Sequence, residues 1–314
     1  MTQFWVHGVG VLEDEATERL TKRHPDWRFT DGTPLTDAAY DVLVARSPTR
    51  ELVAASPHLR TLIVPFAGVR QEVRDLLKDF PEVQLRTVHH NAGPTAELAA
   101  ALVLAAARAI VPADQGMRTG DWTARYVPPS PTMILGGHPA LVIGYGEVGR
   151  RIARALNGLG MQVHVVRSTE QTGVDGDIRI HPRSELPNLV SRARVVVLAI
   201  PGSPATDGLF GADLIGLLPE PSVLVNVARA TVVDERALYE RLRAGGVAAG
   251  LDVWWEEARS ADAVTGVTAS TYPFHELPNV VLSPHRGGAF SLREVRDLRL
   301  DHVDAILTEL AQAE

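Results

Sequence analysis

The 314-residue sequence contains no cysteine. That excludes disulfides, thiolate metal sites and cysteine nucleophiles, and it fits a reducing cytoplasm. Positive charge is in deficit: 31 Lys and Arg stand against 38 Asp and Glu, a formal net charge of −7. No general basic field is therefore available for nucleic acid, and any anionic ligand has to be met by local cations. Long hydrophobic runs are missing too. The most apolar window, Leu98–Val111, is 14 residues long and contains Arg108, where a membrane span needs about 20. The opening segment "MTQFWVHGVGVLEDEATE" has no basic stretch leading into an apolar one, so no signal peptide is read. What is present, 45% hydrophobic and 22% charged residues, suits a soluble globular chain with room for two domains of roughly 150 residues each. The expectation is a cytoplasmic protein with no membrane, nucleic-acid or metal partner.

Short valine- and isoleucine-rich runs alternate with helical patterns. "FWVHG", "DVLVA", "RTLIV" and "VQLRTVH" read as strands in the first ninety residues, and "ALVIG", "QVHVV", "RVVVLAI", "SVLVNV", "VAAGLDV" and "VVLSP" after residue 140. Continuous apolar runs separated by helix-length segments indicate parallel strands buried on both faces. Two such series predict an α/β protein with two doubly wound parallel sheets. Between them, "GPTAELAAALVLAAARAIVPADQG" predicts an alanine-rich helix with Thr95 as N-cap, Glu97 in the first turn and Pro112 at its end. "RYVPPSPT" reads as an extended connector, Ala258–Tyr272 as irregular, and the last stretch as an amphipathic helix.

In "ALVIGYGEVGRRIARALNGLG", a strand runs into Gly144-x-Gly146-x-x-Gly149 and then a helix. The first glycine permits the tight turn, the second lets backbone approach a pyrophosphate, and the third allows close strand–helix packing. The next strand, "VHVV", ends on Arg167 and Ser168, where an NAD site usually carries an acid for the ribose hydroxyls. An arginine there attracts a 2′-phosphate, and a serine can donate to it. NADPH is therefore the preferred cofactor in this reading, with NADH also usable. The competing reading is a surface arginine paired with an acid such as Asp175.

Three downstream strands end in chemically useful side chains. "VLVNVARATVVDERAL" places Arg229 just beyond a buried strand, "VAAGLDVWWEE" does so with Asp252, Glu256 and Glu257, and "PFHELPNVVLSPHRGG" with His285. Ligands of open α/β sheets bind beyond the carboxyl ends of the strands. Histidine is suited to exchange a proton with an alkoxide formed by hydride transfer, and arginine offers a fork to a carboxylate.

At these residues the chain resembles the D-isomer-specific 2-hydroxyacid dehydrogenase family, most strongly over Leu141–Gly149, Ala193–Asp234, Ala248–Asp252 and Pro273–Gly288. The resemblance implies that Arg229 holds the substrate carboxylate and carbonyl oxygen. His285 would act as general acid in reduction and as base in oxidation, with Glu257 as its partner and Glu256 as competitor for that place. It also implies a cofactor set of Gly144, Tyr145, Gly146, Glu147, Val148, Gly149, Arg167, Ser168, Pro201, Thr206, Ala228 and Asp252, the last contacting the nicotinamide carboxamide. Ala67, Gly68 and Val69, in "VPFAGV", align with a loop whose backbone N–H groups bind the carboxylate.

The chain departs from the family pattern in several places. Ala230 replaces a glycine, Gly202-Ser203 stands where a larger residue often follows the proline, and "VPFAGV" lacks the usual second glycine and the acid after it. Arg286 and Arg46 could each serve a second anionic group of the substrate or pair with surface acids. Trp122 resembles a tryptophan that in some members reaches the partner subunit.

The implied organisation is a flavodoxin-like substrate domain, residues 1–93 and 286–314, interrupted by a Rossmann coenzyme domain, residues 94–285, with the two crossings as a hinge. The implied activity is NAD(P)-dependent reduction of a glyoxylate- or hydroxypyruvate-like 2-keto acid to a D-2-hydroxy acid by a homodimer. The family also includes phosphite dehydrogenases and cofactor-sensing corepressors, which stay open as alternatives. Its formate dehydrogenases carry glutamine in place of Glu257, which argues against that branch.

Overall fold

A computed structural model describes residues 4–32, 38–257, 265, 266 and 268–313. Of the stretch read as irregular, Ala258–Tyr272, residues 258–264 and 267 lie outside the described set. The chain divides into two compact units, Met1–Asn91 with Phe290–Glu314, and Ala92–Ala289.

The smaller unit is built on five parallel strands: β1 (Trp5–Val9), β2 (Arg28–Asp31), β3 (Val42–Ala45), β4 (Thr61–Val64) and β5 (Gln84–Thr87). Their order, β2-β1-β3-β4-β5, is flavodoxin-like. Every residue of β3 and β4 is buried, as their unbroken apolar runs require. The sequence reading missed β2, because an edge strand of Arg-Phe-Thr-Asp carries neither an apolar run nor a clean alternation. Helices α1 (Asp14–Arg23), α2 (Arg50–Ala54) and α3 (Gln71–Leu76) lie between the strands, and the Thr49 side chain caps α2 by accepting from Leu52 N–H. The C-terminal helix, Arg293–Ala313, buries Val303, Ile306 and Leu307 against Val6, Leu20, Val42 and Ile63. Each such aliphatic side chain contributes about 1.5–3 kcal/mol by leaving water. Ion pairs Arg19–Asp301 and Arg23–Asp304 add to the seam between that helix and α1.

The larger unit begins with α4 (Ala92–Ala107) and α5 (Ile110–Arg118). The single alanine-rich helix expected here is in fact two, broken at Ala109, whose φ is +47°. The first begins at Ala92 rather than after a Thr95 cap. Pro112 falls in the first turn of α5, where a missing N–H costs nothing, instead of ending a helix. The alanine face of α4 is used within the chain, since Ala96, Ala99, Ala106 and Ala107 sit in the core. Gly250 lets the helix approach the sheet, because a Cβ there would lie 2.8 Å from Leu102 Cβ. Among the described residues no single helix is long and apolar enough to cross a membrane.

The remaining elements are β6 (Pro139–Ile143), α6 (Glu147–Gly158), β7 (Gln162–Val166), β8 (Gly173–Asp175), β9 (Ile178–His181), α7 (Leu186–Val190), β10 (Val195–Leu198), α8 (Ala212–Gly216), β11 (Ser222–Asn226), α9 (Glu235–Arg243), β12 (Val247–Leu251) and β13 (Val280–Leu282). They form an eight-stranded sheet ordered β13-β12-β11-β10-β6-β7-β9-β8. The core of this order is the Rossmann pattern, with the switch point between β6 and β10. The fold class is thus the expected one, two parallel-sheet α/β layers, except that β8 pairs antiparallel with β9. That hairpin also escaped the sequence reading, although "VDGDI" carries an Asp-Gly turn signal and Gly176 adopts φ +61°.

Candidate active site

The glycine loop leaves β6 at the switch point, and each glycine meets a different steric demand. Gly144 has φ +105°, and a Cβ on it would lie 2.4 Å from Ala199 O on the far side of the switch point. A Cβ on Gly149 would lie 2.0 Å from Gly144 O, so α6 can start against the loop only without one. At Gly146 a Cβ would meet nothing within 4 Å. That open side faces away from the protein's own atoms, which is what the approach of a pyrophosphate requires. No side chain caps α6 at Gly146, so its first-turn N–H groups stay available to an anion. Glu147 is exposed and pairs along the helix with Arg151 at 3.7 Å, while Val148 packs against the core. Tyr145 is buried, donates to Asp175 Oδ2 at 2.6 Å, and lies 5.3 Å beneath the Arg150 guanidinium. Burial, with Asp175 as acceptor, pushes its phenol up to about 12.

Arg167 follows β7 and is half-buried. Its Nη2 donates to Gln171 Oε1 at 3.0 Å, and its Nε is buried with no hydrogen-bond partner among the described residues. Asp175, the acid weighed as its partner, is taken by Tyr145. Ser168 beside it is exposed. An orphaned guanidinium donor next to a glycine loop open over Gly146 fits a dinucleotide.

Across the switch point, Pro201 begins a loop closed by Thr206, whose hydroxyl donates to Pro201 O at 2.9 Å and accepts from Ser203 N–H at 2.9 Å. Gly202 has a packing role here: a Cβ on it would lie 2.6 Å from Arg229 Cγ, so the arginine stem lies across the glycine. The adjacent turn is held by Asn226, 1% exposed at the end of β11. Its Oδ1 accepts from Ala228 N–H at 3.0 Å and its Nδ2 donates to Arg229 O at 3.0 Å. Ala228 is therefore buried beneath the exposed Arg229, whose Nη1 donates to Ala228 O at 2.6 Å. Ala230 opens a short 3-10 turn and is not among the residues with positive φ, so the missing glycine costs no strain. Sequence reasoning passed over Asn226, although an amide at the end of "VLVN" is the kind of buried polar group that must find partners.

The neighbouring strands β12 and β13 deliver the other two groups. His285 Nδ1–H donates to Glu257 Oε2 at 2.8 Å, which turns its Nε2 away from the pair. Glu257 Oε1 accepts from Trp254 N–H at 3.2 Å, while Glu256 Oε2 accepts from Thr268 Oγ1 at 3.3 Å. The geometry thus pairs the histidine with Glu257 and not with Glu256. His285 has φ +50°, a left-handed conformation uncommon for a residue other than glycine. Asp252 is 2% exposed and faces the turn that carries His285. It accepts from Ser283 Oγ, from Arg286 N–H at 2.9 Å and from Gly287 N–H at 2.9 Å. Arg286 itself is exposed.

In the smaller unit, Ala67 and Gly68 are exposed and Val69 packs against the core below the loop after β4. Arg46, exposed at the end of β3, lies 5.1 Å over the Phe66 ring.

The family model of the D-isomer specific 2-hydroxyacid dehydrogenase NAD binding domain matches residues 100–287. A glyoxylate reductase of Pyrococcus horikoshii is 35% identical over 302 residues, covering 91% of this chain and 85% of that protein. A glyoxylate reductase of Thermococcus onnurineus is 35% identical over 204 residues, 62% of this chain, and the match spans 57% of that protein's length. A solved D-isomer specific 2-hydroxyacid dehydrogenase from Xanthobacter autotrophicus, in complex with NADPH and MES, shares the fold with a TM-score of 0.76 at 24% identity, over 99% of this chain and 96% of that one. A Rossmann sheet with this glycine loop and a histidine–carboxylate pair beyond its strand ends can hold a dinucleotide and exchange a proton beside it. The chain belongs to the D-isomer specific 2-hydroxyacid dehydrogenase family.

Proposed function

We propose that the protein reduces a small 2-keto acid, glyoxylate- or hydroxypyruvate-like, to the D-2-hydroxy acid, with NADPH preferred and NADH also used. The observation that carries this reading is the set of three side chains following adjacent parallel strands, Arg229 after β11, Glu257 after β12 and His285 after β13, with His285 and Glu257 hydrogen-bonded at 2.8 Å. A bound reduced nicotinamide supplies the hydride. Arg229 offers its remaining guanidinium donors to the substrate carboxylate. His285 holds its Nδ1–H on Glu257 and gives a proton from Nε2 to the carbonyl oxygen. Asn226 and Asp252 hold the turns that present these groups. The roles of Ala67, Gly68, Val69, Arg46 and Arg286 toward the substrate rest on the family resemblance. Glyoxylate reduction is what the names of the Pyrococcus and Thermococcus relatives state of those proteins.

The NADPH preference is supported by Arg167, whose Nε lacks a partner and which has no carboxylate paired to it among the described residues. A cytoplasmic homodimer is the proposed assembly. It is supported by the absence of cysteine and by apolar side chains left exposed from α4 to β6, namely Leu104, Ile110, Met117, Trp122, Tyr126 and Ile134. The test is consumption of NADPH against a panel of 2-keto acids, with glyoxylate and hydroxypyruvate expected among the best. Failure of every 2-keto acid to exceed the buffer rate, with NADPH bound, would overturn the proposal.

A further inference from the structure

We propose that Trp254 is a positioning residue for the His285–Glu257 pair, its indole N–H and its backbone N–H each holding one end of that pair. The inference rests on the reading of His285 as proton donor. Two adjacent tryptophans, Trp254 and Trp255, follow β12, and both pack against the core that contains Phe274. Trp254 meets the Phe274 ring edge-on at 6.2 Å, and Trp255 stacks on it at 5.7 Å. An indole is a donor only, and a packed one seeks an acceptor for its single N–H. Trp254 finds it in a neighbouring strand end: Nε1–H donates to Ser283 O at 2.8 Å.

That acceptor matters because of what else it holds. β12 and β13 run side by side with Leu251 opposite Leu282, so the residues just past their ends are neighbours. Ser283 O also accepts from His285 N–H at 3.1 Å, closing a three-residue turn over Pro284. The turn delivers His285 at φ +50°, a conformation that a residue with a Cβ keeps only when its surroundings hold it. Asp252 holds the Ser283 hydroxyl and the amides of Arg286 and Gly287. The Ser283 carbonyl, on which His285 N–H itself hangs, is held by Trp254. At the other end of the pair, Trp254 N–H donates to Glu257 Oε1 at 3.2 Å, while Glu257 Oε2 takes the imidazole at 2.8 Å. One residue thus ties the histidine's turn to the carboxylate that orients its ring. A phenylalanine in its place keeps the packing on Phe274 and the backbone donor but loses the tie to Ser283. Displacement of a proton donor by about 1 Å can cost a hundredfold in rate.

The full-length protein is compared with Trp254→Phe, Trp255→Phe, Glu257→Gln, the combination of Trp254→Phe with Glu257→Gln, and His285→Ala. Four quantities are measured: kcat and KM on the best 2-keto acid at saturating NADPH, the NADPH Kd from the fluorescence of the dinucleotide, and the His285 imidazole resonance, assigned by its loss in His285→Ala. In Trp254→Phe, kcat is expected to fall about 3–10-fold, the scale of one neutral hydrogen bond, with the His285 resonance displaced. KM and the NADPH Kd stay within about twofold. Trp255→Phe trims the same aromatic cluster and leaves all four as in the wild type. The combined variant loses less than the product of the two single losses, since both changes act on one pair. Should Trp254→Phe not fold, 3-benzothienylalanine at position 254, which keeps the ring shape and puts sulfur in place of the N–H, carries the test with the same expectations. A retained kcat, an unmoved resonance, a loss that falls on the NADPH Kd instead, losses that simply multiply, or an equal loss in Trp255→Phe would each overturn the positioning role. With His285→Ala inactive, those results leave the proton-donor reading standing. An active His285→Ala would remove that reading and this inference with it.

Discussion

Arg167→Asp is expected to reverse the order of the two nicotinamide dinucleotides. The guanidinium follows β7 directly, holds Gln171 with Nη2 and leaves a buried Nε unpartnered. A charge-assisted contact from such a group to a 2′-phosphate is worth about 1.5–3 kcal/mol, and little is gained from a neutral hydroxyl. Arg167 is half-exposed, so solvent screening trims the upper part of that range to leave about 1.5–2 kcal/mol. At about 1.4 kcal/mol per decade, the wild-type preference for NADPH is roughly ten- to thirtyfold in kcat/KM. The introduced carboxylate removes the attraction and repels the phosphate, so the variant should favour NADH while its KM for the 2-keto acid stays unchanged. Steady-state kinetics with both cofactors on both proteins reads this directly, and rising ionic strength should shrink the wild-type preference. Equal or better use of NADH by the wild-type protein would refute the reasoning and make Arg167 a surface residue.

Other outcomes follow from the same geometry. Arg229→Ala should raise KM for the keto acid and lower kcat with NADPH affinity unchanged; near-wild-type turnover would remove Arg229 from the site. The buried and the open glycine of the loop should separate cleanly. Gly149→Ala, with its Cβ 2.0 Å from Gly144 O, should destabilise the protein by roughly 1–3 kcal/mol in thermal unfolding, whereas Gly146→Ala should keep its Tm and lose NADPH affinity. Equal melting behaviour of the two variants would contradict the packing roles given to them. His90 is 4% exposed, and burial, with Arg299, His302 and His89 adding like charge, pulls its imidazole down to about 4 from 6.5. A depressed histidine is neutral in the fold and charged in the unfolded chain at acid pH. Its contribution is therefore intact above pH 6.5 and falls away toward pH 4, by roughly 3 kcal/mol. Unfolding curves of wild type and His90→Gln should converge as pH is lowered through that window, and curves that stay parallel would exclude the effect.

Much of the architecture was legible in the sequence because its causes are local. The runs "VLVA", "TLIV" and "VVVL" are apolar without alternation, and a strand buried on both faces is what such a run can become. The glycine loop was legible because its spacing is a local pattern, and the steric demand at Gly149 falls on Gly144 one turn away, although the demand at Gly144 falls on Ala199 across the switch point. Short polar strands were not legible. β2 and β8 carry no hydrophobic signal and exist because a neighbouring strand offers its edge. The break at Ala109 was hidden too, because alanine favours helix on both sides of it and nothing local marks the left-handed residue.

The site divides along the same line. Residue types at strand ends, Arg229, Glu257, His285 and Arg167, could be read from the chain, because carboxyl ends of parallel strands are where such folds place their chemistry. Which atoms meet could not. The Arg229 stem across Gly202, the capture of Asp175 by Tyr145 and the closure of Asp252 on Ser283, Arg286 and Gly287 each join segments from 27 to 35 residues apart. Sequence by itself determines periodicity, turn sterics and the kinds of side chain at strand ends, since those depend on neighbours along the chain. Tertiary structure alone decides which buried donor satisfies which buried acceptor, since that depends on which strands lie side by side and in what register.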